Sequence, residues 1–342
     1  MTARPNILLI YTGGTIGMIK DPLTGELKSF DFDHLDKHVP ELNRLNINLS
    51  SISFDEAIDS SEMNPIHWAS MAKTIFDNYE RYDGFVVLHG SDTMAYTASA
   101  LSFMLENLAK PVILTGSQLP IGTIRTDGKE NLITAIEIAA AKNENGESRI
   151  QEVAVYFEYS LYRGNRSSKV SANQFEAFQS PNFPELAVAG VEIDYRNVDT
   201  LKGKGDFKMH TILDNRVALL KLFPGINCQH YESIFDNEQV KAIILETYGS
   251  GNAPSDKDFQ TKIENFISEG GIVLNVTQCS SGSVQQGKYQ TSSFFQKVGV
   301  ISGKDMTTES ALAKTMYLLG KKMSKAETEK ALQENLRGEI SI

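Results

Sequence analysis

The sequence has few cysteines: Cys228 and Cys279 are the only two among its 342 residues. Two cysteines cannot build the disulfide framework of a small secreted domain, which predicts a reducing compartment. The N-terminal segment carries an apolar run of only about five residues, shorter than a secretory signal needs. No run approaches the roughly 18 apolar residues of a membrane span. We therefore expect a cytoplasmic protein with no membrane partner.

Positive charge is also scarce, with 33 Lys and Arg against 43 Asp and Glu and a formal net charge of −10. No basic run stands out, which argues against nucleic acid as a partner. The sequence lacks a P-loop, a G-x-G-x-x-G fingerprint, a G-x-S-x-G elbow, and the C-x-x-C and H-E-x-x-H metal motifs. Its six histidines show no metal-ligand spacing. These absences favour a small-molecule site without a nucleotide or a metal.

Short apolar runs alternate with helical patterns along the chain. The runs read NILLIYT, FVVLHG, PVILTG, VAVYFE, VALLKLF, AIILETYG and GIVLNVTQ. Continuous Val, Ile and Leu predict parallel strands that are covered on both faces. Apolar positions at helical spacing run from Met94 to Leu108, and GKENLITAIEIAAAK and DFQTKIENFISEGG show the same period. The alternation predicts an α/β protein with mostly parallel sheets.

The length suggests about two domains of roughly 150 residues each. Residues 192–214 lack a strong period and are rich in Gly, Lys and Asp. We therefore expect a larger N-terminal domain at 1–195, a linker at 196–214 and a smaller C-terminal domain at 215–342.

Gly, hydroxyl and amide residues follow the predicted strands, and open α/β sheets bind ligands beyond the carboxyl ends of their strands. The first such segment is Thr12-Gly13-Gly14-Thr15. A threonine at a glycine-flanked strand end can act as a nucleophile if a neighbouring group takes its proton. Backbone N–H groups at such a turn can also stabilise an oxyanion. The same four residues equally suit an ordinary tight turn, so the spacing alone leaves both interpretations open.

The segment HGSDT, residues 89–93, ends a second predicted strand and precedes a helix. Ser91 or Asp92 could simply cap that helix. In the functional interpretation, Ser91 supplies a second hydroxyl and Asp92 receives a ligand ammonium. Lys169 follows a later strand and is by default a surface lysine; as a base it has to be neutral.

Eight segments, in order, resemble the L-asparaginase family and most closely its bacterial cytoplasmic type I branch. They are YTGGTIGM, DSSEM, GFVVLHGSDTMAYTASALSFML, ILTGSQLP, YRGNRSSK, GSGNAP, NVTQC and LRGE, and the similarity covers residues 7–339. The resemblance implies two α/β domains, the larger one N-terminal. It also implies hydrolysis of L-asparagine to L-aspartate and ammonia through an acyl-enzyme, without cofactor or metal, in a homodimer or homotetramer.

The resemblance further implies roles for individual residues. Thr15 matches the family's nucleophile, and Asp92 matches the aspartate that binds the substrate ammonium. Ser91, Asp92 and Lys169 match a second hydroxyl–Asp–Lys triad. Ser60 and Ser61 match positions that bind the substrate carboxylate, and Asn252 matches an asparagine that reaches an active site across a subunit contact.

The sequence departs from the family pattern twice. The family usually has HGTDT where this chain has Ser91, so the hydroxyl is kept and a methyl group is lost. Many members also place a tyrosine on the loop after the nucleophile, whereas residues 20–30 contain none. Tyr289, in GKYQT, is our candidate for that catalytic role.

Three alternatives stay open. An asparaginase-glutaminase is one, because a pocket distinguishes one methylene by only about 1–3 kcal/mol. A component of a transfer-RNA-dependent amidotransferase is another; it has this fold and an extra N-terminal domain, whereas the first strand here begins at Asn6. The third is a non-enzymatic asparagine sensor, against which the retention of Thr15, Asp92 and Lys169 argues.

Overall fold

The computed structural model describes residues 4–20, 27–29, 39–287 and 290–341. The chain forms two compact units. The first comprises Met1–Ser180 and Pro184–Thr211, and the second comprises Pro181–Phe183 and Ile212–Ile342. None of the helices within the described ranges is long and apolar enough to cross a membrane.

The first unit is built on an eight-stranded sheet. In chain order its strands are β1 (Asn6–Tyr11), β4 (Asn48–Ser53), β5 (Gly84–Leu88), β7 (Val112–Thr115), β8 (Val153–Phe157), β9 (Ser160–Arg163), β12 (Ala187–Ala189) and β13 (Ile193–Tyr195). The spatial order is β13-β12-β9-β8-β7-β5-β1-β4. The pairs from β4 to β8 are parallel, and those from β8 to β13 are antiparallel.

Short strands form small two-stranded ladders beside this sheet. They are β2 (Met18–Lys20) with β3 (Leu27–Ser29), β6 (Leu105–Glu106) with β14 (Lys208–Met209), and β10 (Ser168–Lys169) with β11 (Phe178–Gln179). Within its described residues, the first unit has the helices α1 (Pro65–Asn78), α2 (Met94–Met104) and α3 (Gly128–Ala140). Asn64 caps α1 by accepting from the N–H of Ile66 at 2.9 Å, and Pro65 suits the first helical position.

The second unit holds a four-stranded parallel sheet, ordered β15-β16-β17-β18. Its strands are β15 (Val217–Lys221), β16 (Ala242–Thr247), β17 (Ile272–Thr277) and β18 (Ile301–Ser302). Its helices are α4 (Lys257–Ser268), α5 (Gln290–Val298), α6 (Thr308–Gly320) and α7 (Lys325–Gln333). Helix α4 buries Phe259, Ile263 and Phe266 in the core of this unit.

The predicted fold class is confirmed: both units are α/β, and their main sheets are mostly parallel. All seven apolar runs form strands. Six of them are buried almost throughout, as parallel strands covered on both faces need to be, and the exception is the edge strand β15, where Leu219 is exposed. Ile7 to Ile10 of β1, for example, are completely buried. The carboxyl ends of the parallel strands in the first unit therefore lie at one edge of its sheet, which positions the segments described below.

The predicted helix over residues 94–108 is too long. Helix α2 ends at Met104, Leu105–Glu106 pairs as a strand, and Asn107 has a left-handed φ of 62°. Leu105 and Leu108 are nevertheless buried. The apolar spacing continues past the end of the helix because the chain stays buried there. Periodicity alone therefore does not locate the helix end.

Candidate active site

Two glycines with positive φ follow the first strand and Thr12, with φ of +137° at Gly13 and +89° at Gly14. A Cβ on Gly13 would lie 2.2 Å from the carbonyl oxygen of Ile58, and one on Gly14 would lie 2.5 Å from the nitrogen of Gly90. Only glycine fits at either position. The two glycines thus allow three loops to meet, and Thr15 follows them at the start of a short 3₁₀ turn.

Ser60 lies at the same junction. It is buried, and its carbonyl accepts a hydrogen bond from the Thr93 hydroxyl at 2.7 Å. A Cβ on Gly90 would lie only 2.6 Å from the Ser60 Oγ. Ser61 is exposed, and Asp59 accepts from both its N–H and its hydroxyl at 2.9 Å. These two hydrogen bonds lower the pKa of Asp59 and fix the turn.

Lys169 lies far along the sequence from Ser91 and Asp92, and its side chain contacts both of them. Its ammonium donates to the Ser91 Oγ at 2.8 Å and to the Asp92 Oδ1 at 2.7 Å. The lysine side chain is 14% exposed and the aspartate side chain 68% exposed. The carboxylate is therefore paired on one side and open to a ligand on the other.

Of the two interpretations of Ser91 and Asp92, the helix cap is not the one that the structure shows. Both residues lie in a 3₁₀ turn, Ser91–Thr93, that leads into α2, and no side chain caps either element. Their side chains meet Lys169 instead. The same short polar residues suit both arrangements, so the type of residue does not decide between them.

The segment that carries Lys169 is firmly held. Before it, Arg163 forms a buried ion pair with Glu152 at 2.6 Å. Arg166, in the 3₁₀ turn Gly164–Arg166, is also almost fully buried. Lys169 itself pairs with Phe178 in the β10–β11 ladder. A lysine that follows such an anchored segment keeps a fixed position, which a lysine on an exposed loop does not.

Gln118 also contacts the site, although the sequence predicted no role for it. The Ser91 hydroxyl donates to its Oε1 at 3.4 Å, and its Nε2 donates to the Gln174 carbonyl at 2.8 Å. Asp127 accepts from the Gln118 N–H at 2.8 Å. Burial raises the pKa of Asp127, and the backbone hydrogen bonds that it accepts oppose this. The position of Gln118 in ILTGSQLP, directly after a strand, was the available signal.

The first unit thus brings together the loops bearing Thr15, Ser60, Ser91 and Lys169. Asn252 lies in the second unit, in a turn after β16 where its N–H and carbonyl both bond to the backbone of Tyr248 at 2.9 Å. Tyr289 and residues 21–26 and 30 of the loop after Thr15 lie outside the described residues. Among the residues that are described, no cluster of His, Cys, Asp and Glu is placed to hold a metal ion.

Comparison with known proteins covers both units. Residues 6–200 match the family model "Asparaginase, N-terminal", and residues 216–332 match "Glutaminase/Asparaginase C-terminal domain". L-asparaginase 1 of Escherichia coli (strain K12) is 42% identical over 344 residues, which cover 99% of this chain and 98% of that protein. One chain of the glutamyl-tRNA(Gln) amidotransferase of Pyrococcus abyssi is 33% identical, covering 98% of this chain and 77% of that protein.

A solved structure gives the same result. The crystal structure of L-asparaginase I from Vibrio cholerae matches with a TM-score of 0.90 and 42% identity, covering 99% of this chain and 100% of the other. Since the family models match on both sides of the unit boundary, and identity to a full-length L-asparaginase extends over nearly the whole sequence, this chain belongs to the asparaginase family.

Proposed function

We propose that this protein is a cytoplasmic enzyme that hydrolyses L-asparagine to L-aspartate and ammonia. The observation that carries the proposal is the position of Lys169, whose ammonium contacts both a hydroxyl and an open carboxylate, 2.8 Å from Ser91 and 2.7 Å from Asp92. The loop of Thr15 packs against the same turn. The names of the relatives support asparagine as the substrate.

Two groups of residues bind the ends of the amino acid. The exposed side of the Asp92 carboxylate receives the substrate ammonium, and Ser60 and Ser61 bind the substrate carboxylate. A zwitterion held at both ends presents its side-chain amide in a fixed place.

The reaction proceeds in two displacements at the amide carbon. The Thr15 Oγ attacks this carbon, the C–N bond breaks, and the hydroxyl proton leaves with the nitrogen as ammonia. Water then attacks the resulting ester, which releases aspartate and restores the Thr15 hydroxyl. Lys169, in its neutral form, accepts the proton of the attacking hydroxyl through Ser91 and passes it to the leaving nitrogen; in the second step it passes a proton from water to the Thr15 oxygen. The scheme uses no cofactor or metal.

Catalysis is assigned to an N-terminal domain at 1–195, followed by a linker at 196–214 and a C-terminal domain at 215–342. The protein acts as a homodimer or homotetramer, in which Asn252 of one subunit reaches the active site of another. Tyr289 is the candidate for the activating tyrosine that residues 20–30 lack.

Steady-state release of ammonia from L-asparagine and from L-glutamine tests the proposal. We expect turnover of asparagine, with a lower kcat/KM for glutamine. Equal turnover of both would favour an asparaginase-glutaminase. Binding of asparagine without turnover would show a sensor. Release of ammonia from asparagine or glutamine only when a charged transfer RNA is present would show an amidotransferase component.

A further inference from the structure

His89 directly follows β5 and precedes Gly90 and the turn that carries Ser91 and Asp92, and it is completely buried. Both of its ring nitrogens have partners. Nδ1 lies 2.7 Å from the carbonyl oxygen of Gly90, and Nε2 lies 2.9 Å from the Thr97 Oγ1. The Thr97 hydroxyl in turn accepts from the indole N–H of Trp68 at 2.9 Å. These four groups form one buried hydrogen-bonded chain, Trp68–Thr97–His89–Gly90.

The chemistry of the two ends, together with a neutral imidazole between them, fixes the direction of every hydrogen bond in this chain. The indole of Trp68 only donates, and the Gly90 carbonyl only accepts. His89 Nδ1 must therefore carry a proton, and Nε2 accepts from the Thr97 hydroxyl. The imidazole is held in one neutral tautomer. Its environment agrees, because burial lowers the pKa of His89 to about 4, although the hydrogen bond to Gly90 opposes this.

The hydrogen bond from Nδ1 orients the peptide that leads into Ser91. In a trans peptide the carbonyl and the following N–H lie in one plane and point in opposite directions. With the Gly90 carbonyl held against His89, the Ser91 N–H is turned to the opposite side. Ser91 is the first residue of the turn Ser91–Thr93, so its N–H has no partner within that turn.

Gly90 is also the residue on which the other loops pack. Its backbone lies against Gly14, next to Thr15, and against the side chain of Ser60. No side chain of its own holds it in place, so its orientation depends on what its backbone contacts. A rotation of the 90–91 peptide would move the donor at Ser91 and disturb the contacts with both of the other loops.

We propose that His89 is a positioning residue for amide hydrolysis: its Nδ1–H holds the Gly90 carbonyl and thereby fixes the direction of the Ser91 N–H and the placement of the Ser91 and Asp92 side chains that meet the substrate. The imidazole exchanges no proton with the substrate. The proposal rests on the function and the site residues proposed above, and it assigns to His89 an effect on the chemical step beyond its contribution to stability.

Two polar substitutions separate this role from a purely structural one. In His89→Asn the amide nitrogen reaches the place of Nδ1 and can still donate to Gly90. In His89→Gln the amide reaches the place of Nε2, so the contact with Thr97 is kept and the donor to Gly90 is lost. His89→Leu removes both. Ile75→Ala, in the core of α1, is a control that lowers stability without touching the hydrogen-bonded chain.

The measurements are kcat and KM for asparagine, together with the melting temperature of each variant. We expect His89→Gln and His89→Leu to lower kcat by about 10²-fold, the cost of misplacing a reacting group by about 1 Å, with a smaller change in KM. His89→Asn should stay within about tenfold of wild type, because it keeps the donor that matters. Ile75→Ala should lower the melting temperature and leave kcat unchanged.

Equal losses of kcat in His89→Asn and His89→Gln would overturn the proposal. So would losses of kcat that vary only with the melting temperature, to the same degree as in Ile75→Ala. If both polar variants fail to fold, the imidazole is structural and the proposal is again wrong. Ser91→Ala and Asp92→Asn are measured beside them. Full activity in those two variants would instead overturn the assignment of the site, which keeps the two failures distinguishable.

Discussion

Two lysine–carboxylate pairs of nearly the same length occur in the two units of this protein. Lys169 and Asp92 lie 2.7 Å apart in the first unit, and Lys314 and Glu339 lie 2.6 Å apart in the second. Their surroundings differ: the Lys314 pair is 0% exposed on both sides, whereas the Asp92 side chain is 68% exposed. The distance between the charges therefore says little about what each pair does.

Further hydrogen bonds use the remaining donors and acceptors of the Lys314–Glu339 pair. Besides the carboxylate, Lys314 donates to the carbonyls of Leu332 at 3.0 Å and Glu334 at 2.5 Å. Glu339 accepts from the N–H of Arg337 at 2.6 Å. Burial lowers the pKa of Lys314, and the charge of Glu339 opposes that shift. A buried pair with its donors and acceptors used in this way anchors the C-terminal segment to α6 and leaves no room for a ligand.

The Lys169 pair leaves its acceptor available. The ammonium is committed to Ser91 and Asp92, but the carboxylate remains largely in solvent. An ion pair of this kind adds little to stability. The function of the Lys169 pair is to leave a carboxylate to which a ligand can bind. We therefore expect mutations of the Lys169 pair to lower activity and mutations of the Lys314 pair to lower stability.

The largest effect is expected for Thr15→Ala, which removes the proposed nucleophile. Loss of a covalent nucleophile costs about 10³-fold or more in kcat. The melting temperature should change little, because Thr15 is only partly buried and lies beyond the end of β1. Thr15→Ser, which keeps the hydroxyl, should recover much of the activity. A Thr15→Ala enzyme with more than about a tenth of the wild-type rate would rule out the assignment.

Lys314→Met should have the opposite pattern. Removing one partner of a buried ion pair leaves an uncompensated charge and costs about 3–5 kcal/mol in the free energy of unfolding. Activity per folded molecule should not change. Unfolding is best followed by circular dichroism, because Trp68, the only tryptophan, lies in the first unit.

Lys169→Met is the matched variant for Lys314→Met. It should abolish turnover and leave stability nearly unchanged, because Asp92 stays in contact with water. If both lysine variants lost stability to the same degree, the contrast between the two pairs would be wrong.

Asp92→Asn should lower kcat/KM by the equivalent of about 2–5 kcal/mol, because the substrate ammonium loses its counterion. The change is nearly isosteric, and Asp92 caps no helix, so the melting temperature should hold. Asp77→Asn is the control, because it breaks an exposed pair with Lys73 of the same 2.7 Å length. A large drop in melting temperature with unchanged kinetics would show that Asp92 has a structural role.

The features of the fold that could be predicted from the sequence are those governed by local pattern. Buried parallel strands such as β1 are apolar throughout, so their runs are visible. Strand β4 was missed because NLSSIS is polar and mostly exposed at the edge of the sheet. The end of α2 at Met104 was misplaced because burial continued to Leu108 after the helix had ended.

The contacts that form the candidate site could not be predicted from the spacing of residues in the sequence. Lys169 is 77 residues from Asp92, and only the family resemblance placed the two together. The hydrogen bonds from Trp68 through Thr97 to His89 connect three segments of the sequence. Each segment has the residue pattern of an ordinary hydrophobic core. Short polar residues at a strand end serve equally well as helix caps and as ligand contacts, which is why the sequence left both interpretations of Ser91 and Asp92 open.

The smallest effect is expected for Ser91→Thr, which restores the residue usual in the family. The hydroxyl that accepts from Lys169 at 2.8 Å is kept, and the added methyl group restricts χ1. We expect kcat/KM for asparagine within about tenfold of wild type, with a larger preference over glutamine, because a smaller pocket penalises one extra methylene by about 1–3 kcal/mol. Both substrates should be assayed on wild type, Ser91→Thr and Ser91→Ala. Ser91→Ala should lose most activity, because Lys169 then has no hydroxyl through which to move a proton. If Ser91→Thr were as inactive as Ser91→Ala, the surroundings of Ser91 would have adapted to serine, and the hydroxyl would not be interchangeable at this position.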